Sequence, residues 1–214
     1  MTTSVQKTVR HGGSLSNVSR SLLGEGRRWQ IWQPDWWYFL GAVVLCEPAA
    51  MSLRSARQMT SIFLIRGNRI LLLYRVGSSA IRDSWVGIGG HVDPDEIRDP
   101  TQAALRELEE EVGLSPDQIR DLTLRYVSLR DNGEELRITY YFTATLPPGT
   151  PDPEECTEGE LRWFEIAPEV ADLSMPPTTS VALKHWLSRG RYDNLLRSIV
   201  MGSDGPLVLP LAGE

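Results

Sequence analysis

Three glutamates, Glu107, Glu110 and Glu111, stand three and four residues apart in the run Arg106-Glu107-Leu108-Glu109-Glu110-Glu111-Val112-Gly113. On a helix that spacing puts all three carboxylates on one face, with Leu108 and Val112 turned together toward a core. Crowded carboxylates repel one another, and hard oxygen donors suit Mg²⁺ or Mn²⁺, which keep several waters and complete their shell with substrate phosphates. A Glu-rich helix is more often just a solvated face. The stretch upstream sets this one apart: Trp85-Val86-Gly87-Ile88-Gly89-Gly90 reads as a strand ending in two glycines, where backbone can come close to a cation or a phosphate.

The elements that must position these groups are legible around them. Asp99-Pro100 supplies an N-cap and a proline at the first helical position, and Gly113 supplies the stop, so a helix is predicted over 100–112. Ser61–Ile65 and Arg69–Tyr74 are apolar, β-branched-rich runs separated by Gly67-Asn68, a β-hairpin pattern. Leu122–Leu129 and Leu136–Leu146 are strand-like and predicted to pair antiparallel across Asp131-Asn132-Gly133. A short strand is expected at Leu161–Glu165 and an amphipathic helix at Thr178–Arg189, while the tail from Ser203 reads as irregular.

Composition bounds the partners. The 214 residues carry a formal net charge of -6, which lacks the basic footprint of a protein that tracks a nucleic-acid polymer. The charge is uneven: residues 1–58 hold seven Lys/Arg against three Asp/Glu, leaving fifteen against twenty-five in 59–214. Of the seven tryptophans, Trp29, Trp32, Trp36 and Trp37 fall within residues 27–38, a cluster that reads either as a membrane-surface or partner anchor or, more simply, as part of an upstream extension. Phe39–Cys46 is an apolar run of eight, short of the roughly 20 residues that span a bilayer. Two cysteines, Cys46 and Cys156, form no CxxC pair, so neither a disulfide framework nor a zinc site is indicated and a reducing cytoplasm is the expected setting.

Gly90, Glu96, Arg106, Glu107, Leu108, Glu110, Glu111, Gly113 and Leu114 together resemble the signature of the Nudix hydrolase family: Gly, five residues, Glu, seven residues, then Arg-Glu-apolar-x-Glu-Glu-x-Gly-apolar. Here nine residues separate Glu96 from Arg106, and the extra two fall in the loop at Ile97–Pro100, leaving the helical register of the carboxylates untouched. The resemblance implies an α/β fold, an α/β/α sandwich on a mixed sheet, with the hydrolase domain over 59–201. Residues 1–58 would form an extension, largely disordered or non-native, and 202–214 a tail. It further implies that Glu107, Glu110, Glu111 and the Gly90 carbonyl bind Mg²⁺ or Mn²⁺ and that Arg106 holds the carboxylates in place. A carboxylate would then take the proton of the attacking water, Glu110 first, with Glu134, Glu135, Glu158 or Glu160 as alternatives. His91, next to the glycines, is expected to pack beside the motif without acting in it.

The expected activity is hydrolysis of a phosphoanhydride bond in a small nucleoside-diphosphate-linked substrate. The layout, including Met175-Pro176-Pro177-Thr178-Thr179, resembles the MutT-like branch associated with 8-oxo-dGTP. Trp163 or Phe164 is a candidate to stack on a base, although a strand allows only one of the two to face each way. A catalytically silent ligand sensor is the alternative, which the three intact helical glutamates disfavour; a homodimer is plausible from the resemblance alone.

Overall fold

The computed structural model describes residues 55–76, 83–153, 156 and 158–211, together with the backbone of three short strands nearer the N-terminus. The chain divides into two compact units, Met1–Leu53 and Arg54–Glu214. In the first, β1 (Ser16–Ser19), β2 (Arg28–Ile31) and β3 (Val44–Cys46) form an antiparallel sheet in that order. Beyond these strands, the expectation for residues 1–58, including the tryptophans after Ile31, lies outside the described residues.

The second unit is built on a mixed eight-stranded sheet. Its strands are β4 (Ser55–Arg66), β5 (Arg69–Arg75), β6 (Ser84–Val86), β7 (Arg120–Asp131), β8 (Glu135–Thr145), β9 (Gly159–Glu165), β10 (Arg197–Gly202) and β11 (Gly205–Pro210). They run in the order β11-β10-β7-β8-β4-β5-β6, with β9 along the other side of β5. The predicted hairpin is β4–β5, turning at Gly67 with φ of 59°, and β7 and β8 pair antiparallel as expected. β4 lies parallel to β8, and β10 parallel to β7, which makes the sheet mixed. Two expected boundaries move. β4 begins at Ser55, ahead of 59, because its first residues continue the ladder with β8 from Ser55↔Glu135 onward. The tail forms β11, because Gly205, at φ 107°, turns the chain back along β10.

Each helix covers one face of the sheet, giving the α/β sandwich. Helix α1 (Pro100–Val112) is capped by the Asp99 carboxylate, which accepts from the Thr101 amide at 3.1 Å, and closed by Gly113 at φ 67°. Its Ala104, Leu108 and Val112 enter a core with Ile62, Leu64, Leu71, Ile88, Phe142 and Ala144. Helix α2 (Pro177–Ser188) sends Ala182, Leu183 and Trp186 into a second core with Phe63, Ile70, Leu72, Tyr126 and Tyr141. Alternation along the strands sorts these residues: Ile62 and Leu64 face α1 while Phe63 faces α2. No helix among the described residues is long and apolar enough to cross a membrane.

Beyond β6 the chain does not leave the sheet. Ile88 exchanges backbone hydrogen bonds with Ile62 at 2.6 and 3.1 Å, the Thr60 amide donates to the Gly90 carbonyl at 2.8 Å, and Val92 donates to Gln58. The glycine-rich stretch is thereby stitched onto β4, below the end of α1. Leu108 is fully buried between this stretch and the sheet. Replacing it with alanine is expected to cost about 3 kcal/mol of folding stability, read as a lowered midpoint in urea unfolding at unchanged slope.

Candidate active site

Helix geometry places the signature carboxylates as expected, but not in equal surroundings. Glu111 lies on the buried face of α1, only 5% exposed, whereas the Glu110 side chain is 59% exposed. Arg106 is the hub. Its Nε and Nη2 donate to the two oxygens of Glu96, its Nη1 donates to Glu107 Oε1 and Glu110 Oε2, and its Nη2 also reaches the His91 carbonyl, all at 2.9 Å. Glu96 is further held by the Asp93 amide at 3.0 Å. The two extra residues before Arg106 are absorbed in turns, and Glu96 meets the guanidinium in a two-pronged contact despite them. That contact holds the Glu96 carboxyl below the usual range.

The paired glycines let the loop press against these acids. A Cβ on Gly90 would fall 2.4 Å from Glu107 Oε2, and one on Gly89, whose φ is 144°, would strike the Thr60 carbonyl. The Gly89 amide donates to Glu111 Oε2 at 2.8 Å, while Glu111 Oε1 is buried with no partner. Burial pushes the Glu111 carboxyl up to about 8; the Gly89 amide opposes this, and the neighbouring Glu158 carboxylate adds to it. Burial also raises Glu107, with Arg106 opposing.

Of the four loop acids that were alternatives for the base, the structure brings Glu158 to the cluster. It precedes β9, beside Glu111, and pairs with Arg75 at the end of β5. Glu135 is instead shared between Arg57 and Arg137, Glu160 pairs with Arg162 in the open, and Glu134 is exposed. His91 contacts Arg57 at 3.2 Å through its ring and otherwise serves the site through its backbone.

Among the described residues, no three acidic, imidazole or thiol groups already converge as a cation cage. Arg106 holds Glu107 and Glu110 on its own nitrogens. The donor set nevertheless fits a hard divalent ion: three carboxylates on α1 with Glu158 beside them, and one buried Glu111 oxygen without a hydrogen-bond donor among the described residues. The Gly90 carbonyl already accepts from Thr60, leaving one lone pair for a ligand.

The two aromatic candidates do not join this group. Trp163 faces α1, its indole N–H donates to Asp152 at 3.0 Å, and the Arg66 and Arg69 guanidinium groups lie 5.3 and 5.4 Å from its ring centre. Phe164 faces α2 and meets Trp85 edge-on at 4.8 Å. Both sit toward the far end of β9 from Glu158, about 13 Å or more at strand rise. What borders the carboxylates instead is a cleft on the α2 side, reached past Gly87 and Gly89 and lined by Arg75, Ser61, Arg130 and Arg137. Sequence reasoning missed it. The signal was the alternation that puts Ser128 and Arg130 of β7, and Arg137 and Thr139 of β8, on the face that carries Tyr126 and Tyr141.

A raised carboxyl in the fold binds its proton more tightly than the same group unfolded, near 4.5. Stability of the metal-stripped protein should therefore fall as pH rises from about 4.5 to about 8 and level off above. Thermal unfolding in chelator across this range is expected to show the decline, and Glu111→Gln to flatten it; an unchanged slope in the variant would remove Glu111 as its source.

The family model described as the NUDIX domain matches residues 56–183, more than half of the chain. No curated protein matches the sequence. Among solved structures, a NUDIX hydrolase from Nitrosomonas europaea is similar at 15% identity and a TM-score of 0.55, covering 92% of this chain and 94% of that one. A MutT protein from Methanosarcina mazei Go1 is similar at 18% identity and a TM-score of 0.53, covering 65% and 98%. An Ap4A hydrolase from C. elegans is similar at 21% identity and a TM-score of 0.51, covering 62% and 96%. With the signature gathered on α1 and the glycine loop, and the family model reaching from β4 through β9 into the start of α2, the chain belongs to the Nudix family.

Proposed function

We propose that this chain is a pyrophosphohydrolase that cleaves a phosphoanhydride bond in a small nucleoside-diphosphate-linked substrate and depends on Mg²⁺ or Mn²⁺. One observation carries the reading: Glu107, Glu110, Glu111 and Glu158 gather beside a backbone that has no room for a side chain at Gly89, against the Thr60 carbonyl, and that lies directly against the Glu107 carboxylate at Gly90. Packing alone gives no reason to bury Glu111 against a second carboxylate, Glu158, since burying a carboxyl group beside a like charge costs stability. The Ap4A hydrolase and MutT relatives fit the same kind of substrate, and an 8-oxo-dGTP-like triphosphate stays within the proposed class.

Glu107, Glu110, Glu111 and Glu158 would hold the cation, with the Gly90 carbonyl as a further donor. When bound, such a cation neutralises the diphosphate and acidifies a coordinated water. The chain's own residues do the rest. Arg106 fixes the rotamers of Glu107 and Glu110 from behind, so the carboxylates are already oriented when substrate arrives. Glu110, the most exposed of the helical three, takes a proton from the attacking water. The water oxygen bonds to phosphorus, the bridging P–O bond breaks, and the departing phosphate leaves with that electron pair. Arg75 borders both the carboxylates and the cleft, where it can hold the diphosphate in line.

Product release from the purified full chain, measured with Mg²⁺ or Mn²⁺ across oxidised and ordinary nucleoside triphosphates, ADP-ribose, nucleotide-sugars and dinucleoside polyphosphates, tests the assignment. Turnover of at least one class, abolished by chelator, is expected; silence toward all of them favours the ligand-sensing alternative. Glu110→Gln keeps shape and removes charge, and is expected to lower kcat by at least 100-fold with an unchanged thermal midpoint. Activity within a few-fold of the parent would refute the role given to Glu110.

A further inference from the structure

The cleft on the α2 face carries more positive charge than the reaction at the carboxylates calls for. Arg130 and Arg137 stand directly opposite each other in the β7–β8 ladder, an arrangement that like charges disfavour unless an anion lies between or beside them. Arg137 donates to Glu135 at 2.7 Å, and Glu135 also receives Arg57 at 3.1 Å. Arg130 is half-buried and makes no hydrogen bond or ion pair among the described residues. Both guanidinium groups open on the same cleft as Arg75.

Two further features of that cleft call for an anion. The Ser61 hydroxyl, in a residue only 7% exposed, has no hydrogen-bond partner among the described residues and lies where Gly87 leaves room for it. Thr178 and Thr179, in the first turn of the twelve-residue helix α2, line the opposite wall, and no side chain caps that helix. The end of α2 that faces the cleft is therefore its positive end, with amide donors free of a capping side chain. The enclosed space is about 80 Å³, room for several waters or one tetrahedral anion. The lining contains a single aromatic side chain, Tyr141, whose hydroxyl is already bonded to Thr178 and Thr179.

We propose that this cleft is a phosphate subsite, formed by Arg130, Arg137, Ser61 and the start of α2, that takes a phosphomonoester group separate from the scissile diphosphate. It rests on the pyrophosphohydrolase reading only for its link to catalysis: Arg75 and Gly89 border both places, so one ligand can span them. The substrate class this selects is a nucleoside-diphosphate-linked compound bearing an additional phosphate, and free inorganic phosphate shares the chemistry.

Calorimetric titration of the full chain with inorganic phosphate, in chelator, tests the subsite without any turnover. Saturable binding in the millimolar range or tighter is expected, weakened at least tenfold in Arg130→Gln and within about threefold of the parent in Arg130→Lys; thermal midpoints of both variants verify folding. No saturable binding, or equal binding by folded Arg130→Gln, overturns the proposal. Kinetics with Mg²⁺ then separate the two sources, using ADP-ribose with and without a 2′-phosphate. A KM at least tenfold lower for the phosphorylated substrate, with the difference lost in Arg130→Gln and kcat little changed, identifies a substrate group. Equal KM values alongside tight phosphate binding identify free phosphate as the occupant. Phosphate binding with no turnover of either compound leaves the subsite standing and counts against the hydrolase assignment.

Discussion

Repulsion among carboxylates held on one helical face is the constraint around which this molecule is organised. Glu107, Glu110 and Glu111 share a side of α1, and Glu158 is brought against them from the strand beyond. Arg106 answers part of that repulsion with one guanidinium directed at three carboxylates and a carbonyl. Arg75 answers another part by pairing with Glu158. Neither reaches the inner oxygen of Glu111. The fold tolerates this because Leu108 and Val112, on the same helix, anchor the apolar face in a core that reaches β4, β5 and β8. A helix held only by its own turns would not keep such a cluster in order.

The sheet divides two kinds of chemistry. On the α1 side an apolar core ends in a patch of acids; on the α2 side another core gives way, toward the same end of the sheet, to hydroxyls and guanidinium groups. The glycine stretch from Gly87 to Gly90 runs between them and belongs to both. Its backbone pairs with β4, its Gly89 amide serves Glu111, and its Gly87 lies on Ser61. A side chain at these positions would collide with the β4 backbone, so the glycines fix how near the acidic patch and the basic cleft can lie.

The helix, the hairpin and the signature acids were legible in the sequence because each rests on local rules: a capping Asp99, a stop at Gly113, a turn at Gly67, and the three- and four-residue spacing of the glutamates. Glu96 was legible as part of the pattern, and its pairing with Arg106 across two extra residues follows from the reach of the guanidinium. The tail was misread because β11 has little alternation of its own and exists by pairing with β10. Trp163 or Phe164 was a candidate to stack on a base; in the fold Trp163 lies beside Arg66 and Arg69, and Phe164 meets Trp85 on the other face of β9. The cleft was harder to read for a different reason: Ser61, Arg130 and Arg137 come from three strands, and the parallel pairing of β4 with β8 is what brings Ser61 to the other two.

That parallel pairing also sets the order in which the protein can be made. β4 finds β5 within a few residues, but its other partner, β8, follows some eighty residues later, and β9 with Glu158 later still. A chain growing from the ribosome therefore displays the whole acidic helix, with one side of β4 unpaired, well before the strands that shelter it have been synthesised. Closure of this long loop is entropically slow compared with forming the hairpin or the helix. Until β8 is synthesised, one side of β4, apolar at Ile62 and Leu64, has no strand beside it.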